Sequence, residues 1–107
     1  MSSRNRVLKH MLQWLIAGSR GGPNRAKIIS SIKEEPMNAN QLCAVLEVDY
    51  RTVRHHLDIL EKNGLVTSMG KRYGKMYFVA PELEDAWSDF VEIWNRIGKT
   101  DNNGGEV

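Results

Sequence analysis

The run Asn38–Val66, NANQLCAVLEVDYRTVRHHLDILEKNGLV, decides the fold. Asn38 is placed to cap a helix, and Gln41, three residues on, completes a capping box. Leu42, Val45 and Leu46 then form the apolar face of a short helix. Asp49 is placed to cap a second, longer helix, and Gly64 to end it as the residue after the C-cap. Along that helix Val53, His56, Leu57 and Leu60 recur at helical spacing and face inward. Tyr50, Arg51, Arg54, His55 and Asp58 must then face out. The brief link Glu47-Val48-Asp49 forces a steep crossing and leaves the N-terminal half of the longer helix projecting.

Working outward, two short β runs, Leu65–Ser68 and Lys75–Val79, flank Met69 to Gly74, whose two glycines predict a hairpin. Upstream, Gly22 and Pro23 open a helix carrying Ile28, Ile29 and Ile32, which stops before Pro36. Before the glycine-rich link Gly18 to Gly22, a first helix carries Val7, Leu8, Met11, Leu12 and Leu15 as one stripe. After Pro81 a last helix runs from Glu82 to about Arg96, with Glu82, Glu84 and Asp85 at its positive end. The expected architecture is mainly α with a small β-hairpin, a winged helix-turn-helix with extra N- and C-terminal helices. The expected division is a helix and linker over 1–20, a winged core over 21–80, a final helix over 81–99 and a disordered tail over 100–107. The expected apolar core is Ile28, Ile29, Ile32, Leu42, Leu46, Val53, Leu57, Leu60, Val66 and Phe78.

A length of 107 residues with 41% apolar side chains fits one small domain. That size favours binding over an elaborate catalytic cavity. A single cysteine excludes an internal disulfide framework and fits a reducing cytosol. The longest apolar stretch, Met11 to Ala17, is too short to span a bilayer, and the start lacks a signal-peptide pattern. The expectation is a cytoplasmic protein with no membrane partner. The net charge is only +2, but residues 1–80 hold 13 basic and 6 acidic side chains, and residues 81–107 hold 2 and 7. A basic body with an acidic end points to a polyanion partner for the body.

The outward face of the longer helix collects Tyr50, Arg51, Thr52, Arg54 and His55 near its N-terminus. Arginine grips guanine O6 and N7 bidentately, and hydroxyls at a helix N-terminus hold phosphate. The helix is about 20 Å long, ample for a major groove about 12 Å wide. Lys71, Arg72 and Lys75 repeat the positive charge at the hairpin. The competing reading is a merely solvated face. Residues 51–75 hold 6 basic and 2 acidic side chains, on two elements that a winged helix points the same way, which weighs against it.

The stretch from Asn40 to Val66, and above all Thr52-Val53-Arg54-His55-His56-Leu57 ending in Glu61-Lys62-Asn63-Gly64-Leu65-Val66, resembles the ArsR-like winged-helix transcriptional regulators. Its Tyr50-Arg51-Thr52-Val53-Arg54-His55-His56-Leu57 run is similar to the archaeal branch. The resemblance covers about residues 24–80 and implies a homodimeric regulator that reads double-stranded DNA. It assigns Tyr50, Arg51, Arg54 and His55 to base and phosphate contacts, and His56 to an inward position beside Leu57. Glu47 stands where the family's turn usually has glycine. Asn38 and Asn40 stand where metal-sensing members have cysteines, and no histidine follows His56, so metal sensing is not implied.

Other chemistry is thin. His55 and His56 are adjacent on a helix, point about 100° apart and rarely share an ion. Cys43 faces inward, where a thiol is usually inert. Asp85, Asp89 and Glu92 form an acidic helix face whose ordinary reading is solvation. No nucleophile–base pair or metal cluster assembles, so an enzyme, a metal and a cofactor are not expected. The first helix (Leu8, Met11, Leu12 and Leu15) and the last (Trp87, Phe90, Val91 and Trp94) have apolar stripes beyond the winged core's needs. They are expected to build a two-fold dimer, placing two recognition helices about 34 Å apart. Two other readings stay open: a protein-interaction module using the acidic last helix, and a ligand sensor with a pocket near Trp14, Trp87 and Trp94. The sequence names no small-molecule effector.

Overall fold

The structure, a computed structural model, describes the backbone of residues 3–106 and the side chains of residues 6–98. In chain order the elements are α1 (Ser3–Leu12), a π-helical turn (Gln13–Ala17), α2 (Gly22–Glu34), β1 (Met37–Asn38), α3 (Ala39–Leu46) and α4 (Tyr50–Lys62). They continue with β2 (Val66–Met69), a 3₁₀ turn (Arg72–Gly74), β3 (Met76–Val79), α5 (Pro81–Asp85) and α6 (Trp87–Glu106). The tail expected to be disordered over 100–107 lies outside the residues whose side chains are described. No helix of the described residues is long and apolar enough to cross a membrane.

The expected capping box forms. Asn38 Oδ1 accepts from the Gln41 backbone N–H, and Gln41 Oε1 accepts from the Asn38 N–H, both at 2.8 Å. Asp49 occupies the N-cap of α4, although its side chain makes no capping bond. Gly64, at φ 75°, ends the helix. The Leu65 N–H then bonds Leu60 O and the Gly64 N–H bonds Glu61 O, the paired closure of a Schellman motif. α3 ends on Glu47, which adopts the left-handed conformation at φ 58° and ψ 46°. The chain therefore makes its turn at the position where glycine would be easiest, using a residue with a Cβ.

The sheet has three strands rather than the two of the expected hairpin. Its order is β1-β3-β2, antiparallel, with β3 central: Met37 pairs with Tyr77, and Val66 with Val79. The phase of β3 also differs from the expected core. Tyr77, 1% exposed, and Val79 are buried, while Phe78 is only half-buried. Val45, expected on the apolar face of α3, is exposed, and Leu46 is half-buried.

One core runs through nearly every element. It joins Ile28, Ile29 and Ile32 of α2 with Leu42 of α3 and Val53, Leu57 and Leu60 of α4. It also takes in Leu8, Leu12, Leu15 and Ile16 from the N-terminal segment, and Leu83, Phe90 and Ile93 from α5 and α6. The reading of the terminal stripes as spare apolar surface is therefore corrected. Leu8, Leu12, Leu15 and Phe90 are buried inside the chain itself, because α6 packs across α1 and the π-helical turn. Trp87 is half-buried, stacks on Phe90 at 4.7 Å between ring centroids and carries Lys33 Nζ over its face at 4.9 Å. Of the expected interface set, Met11, Trp87, Val91 and Trp94 keep accessible surface.

The helix α2 begins one residue earlier than its cap signal at Gly22 suggests: Gly21 is the N-cap and Gly22 the first helical residue. Gly22 has a packing reason to be glycine, since a Cβ there would lie 1.7 Å from Ile16 O. Gly21 is nearly as tight, with a virtual Cβ 2.7 Å from His56 Cε1. The glycine-rich link is thus a close passage against the π-helical turn and α4.

Candidate nucleic-acid interface

Because Val53, His56, Leu57 and Leu60 fill the core, α4 is rotated to present its other side. Tyr50, Arg51 and His55 are exposed, Thr52 and Arg54 are half-buried, and Asp58 is exposed. On the wing Lys71 and Arg72 are exposed and Lys75 is half-buried. The loop is held out by two left-handed residues, Gly70 at φ 101° and Arg72 at φ 53°, and by the Gly74 N–H bonding Lys71 O at 3.0 Å. Exposed Tyr73 at the tip was not among the expected site residues, although it lies between Arg72 and Lys75.

The two elements meet. Tyr50 and Arg54 of α4, with Arg72, Tyr73 and Lys75 of the wing, line one cleft of about 400 Å³. Two further bonds fix α4 against the sheet: Arg54 Nη1 donates to the Tyr77 hydroxyl, and Ser68 Oγ donates to Glu61 Oε2 at 2.6 Å. Arg54 Nη2 also bonds Asp58 Oδ1 at 3.3 Å, within its own helix. Arg51, Lys71 and His55 lie outside the cleft lining but on the same two elements. The cleft carries three cations and two phenols, which suits an anion flanked by flat apolar faces.

Behind this face lies a buried polar group that the sequence did not reveal. Arg25 of α2 is 5% exposed and His56 of α4 is 6% exposed. Arg25 Nη1 donates to His56 Nδ1 at 3.2 Å, Nε donates to Leu15 O at 3.1 Å, and Nη2 donates to Ser19 Oγ. Ser19 Oγ in turn donates to Leu15 O at 2.9 Å. Since a guanidinium only donates, His56 Nδ1 accepts, which places the imidazole proton on Nε2. Burial holds His56 below the ordinary imidazole value, and the charges of Arg25 and His55 add to that. The signal available in sequence was indirect: an inward histidine needs a polar partner.

Among the described residues no group of three His, Cys, Asp or Glu is placed to hold an ion. Two acidic side chains of α6 are engaged in surface pairs, Glu92 with Arg96 at 3.2 Å and Asp89 with Lys9 at 3.9 Å.

Residues 22–68 match the bacterial regulatory protein arsR family, helix-turn-helix type. That segment is similar to an arsR-family helix-turn-helix domain. No curated protein matches the chain. Among solved structures, reduced HlyU from Vibrio cholerae N16961 aligns over 89% of this chain and 94% of its own, with a TM-score of 0.62 and 17% identity. The transcriptional regulator MosR of M. tuberculosis aligns over 92% of this chain and 74% of its own, with a TM-score of 0.59 and 17% identity. A third is the homodimeric winged helix-turn-helix DNA-binding domain of a possible ArsR-family regulator from Mycobacterium bovis. It aligns over 95% of this chain and 88% of its own, with a TM-score of 0.57 and 14% identity. The matched segment runs from the start of α2 into β2, so it contains the whole of α4 and most of the first wing strand.

Proposed function

We propose that the protein is a homodimeric, sequence-specific regulator that binds double-stranded DNA in the cytoplasm. Residues 49–62 enter the major groove and wing residues 69–75 track the backbone or the adjacent minor groove. The observation that carries this reading is the shared cleft of Tyr50, Arg54, Arg72, Tyr73 and Lys75. Cations on a helix and on a hairpin are drawn to one side of the molecule, as a duplex with two phosphate ridges requires. Arg51 and Arg54 are the base readers. Tyr50, Thr52 and His55 support them, and Lys71, Arg72 and Lys75 hold phosphate. The arsR-type domain and the winged-helix neighbours support the same reading, and the run from Tyr50 to Leu57 supports its archaeal branch.

The dimer is proposed through the outer faces of the terminal helices. Exposed Val7 and Trp14 on the N-terminal segment and Val91 on α6 are large apolar side chains left in water. Met11, Trp87 and Trp94, still partly accessible, complete that face. The Mycobacterium bovis neighbour, described as homodimeric, supports this arrangement.

The test is selection of duplexes from a random pool, followed by titration of the winner at several salt concentrations. Binding should weaken by about 0.9 log unit per log unit of salt for each phosphate neutralised. Failure to enrich any sequence, with no salt-dependent binding, overturns the reading.

A further inference from the structure

Arg54 is anchored at two points. Its Nη1 donates to the Tyr77 hydroxyl and its Nη2 to Asp58 Oδ1 at 3.3 Å. Tyr77 stands on the central strand, is 1% exposed and is among the largest fully buried side chains of the core. Its ring is therefore fixed by packing, and its hydroxyl bonds Arg54 of α4. Asp58 lies one helical turn further along the same helix. Burial pushes the Tyr77 phenol above its ordinary value, against the opposing pull of Arg54, so the hydroxyl accepts as a neutral oxygen. A guanidinium presents five N–H donors in one plane. Two anchors on different elements fix that plane, while Arg54 still borders the cleft it shares with Arg72 and Lys75.

We propose that Tyr77 is a positioning residue for DNA recognition: its buried hydroxyl holds the Arg54 guanidinium at the cleft between α4 and the wing, ready for a paired acceptor on the duplex. This rests on the reading of α4 and the wing as a duplex-binding face. The acceptor pair is either two phosphate oxygens or the O6 and N7 of a guanine, and both chemistries suit a pre-oriented fork. An unanchored arginine would lose rotamer freedom on binding, and the Tyr77 bond removes much of that loss beforehand.

The test is a double-substitution cycle on the full chain, read as affinity for the selected duplex. Tyr77→Phe removes one oxygen and leaves the ring in place. It should weaken binding roughly three- to tenfold, the scale of ordering one long side chain. In an Arg54→Ala background the same change should cost nothing. A loss confined to the selected sequence assigns the acceptor to guanine, and an equal loss on all duplexes assigns it to phosphate; either supports positioning through Arg54. Equal losses in both backgrounds, which a purely structural effect on the sheet would give, overturn the inference. So does unchanged binding by Tyr77→Phe in the presence of Arg54. Absence of duplex binding by the unsubstituted chain overturns the functional reading itself, a result distinct from both.

Discussion

Arg25 and His56 meet at 3.2 Å in the interior, a guanidinium donating to a neutral imidazole. The contact ties α2 to the back of α4, directly behind the exposed arginines. A second proton on His56 would set two donors against each other in a buried site. Because burial lowers His56 in the fold, the unfolded chain binds more protons as pH falls, and acid favours unfolding. The His56 contribution is fully present above the ordinary imidazole value of about 6.5 and is lost as pH falls below it through the lowered native value. Urea unfolding between pH 8 and 5 should show stability falling below about pH 6.5. His56→Asn, which keeps an acceptor near Nδ1, should flatten that dependence. His56→Leu should cost about 1–3 kcal/mol at pH 7.5 by leaving Arg25 short of an acceptor.

Gly22 and Gly98 are both helical, and alanine should act oppositely at the two. At Gly22 the new Cβ meets the Ile16 carbonyl oxygen, backbone that cannot move cheaply. Gly22→Ala should destabilise by about 3 kcal/mol or more. At Gly98 nothing lies within 4 Å, so alanine meets no obstacle. Gly98→Ala should stabilise by about 0.5–1 kcal/mol, from helix propensity. Paired thermal melts check both signs.

Glu47 bears backbone strain at the turn before α4, with φ 58°. Glu47→Gly should raise stability by about 1 kcal/mol, measured by chemical denaturation. A loss of stability would mean that the Glu47 side chain contributes something its geometry does not explain.

Two substitutions on the exposed face should separate reading from gripping. Arg51→Ala should cost about 1–3 kcal/mol on the selected duplex and relax sequence preference. Lys71→Ala should weaken all duplexes alike and lower the salt slope by about 1. Competition binding against scrambled duplexes distinguishes the two.

The sequence exposed the parts of this molecule that rest on local rules. The Asn38–Gln41 box, the Gly64 stop and the division of α4 into an inward Val53–His56–Leu57–Leu60 side and an outward arginine side follow from spacing and caps. The β3 phase did not follow, because one step of register exchanges Tyr77 for Phe78. The strand Met37–Asn38 is two residues long and carries no period of its own; only pairing with β3 makes it a strand. The stripes of the terminal helices were legible as apolar, but amphipathicity does not say which surface an apolar face covers. Leu12, Leu15 and Phe90 turned to their own domain. Of the site, the cations were legible one by one. Tyr73 at the tip, the Tyr77–Arg54 bond and the Arg25–His56 pair join distant residues and needed coordinates.

The most direct measurement is a backbone chemical-shift map of the labelled protein titrated with its selected duplex. Large shifts should cluster in the N-terminal half of α4 and at residues 70–75, leaving the acidic face of α5 and α6 unmoved. Shifts confined to the terminal helices, with residues 50–55 and 70–75 silent, would contradict a duplex-binding face built from α4 and the wing.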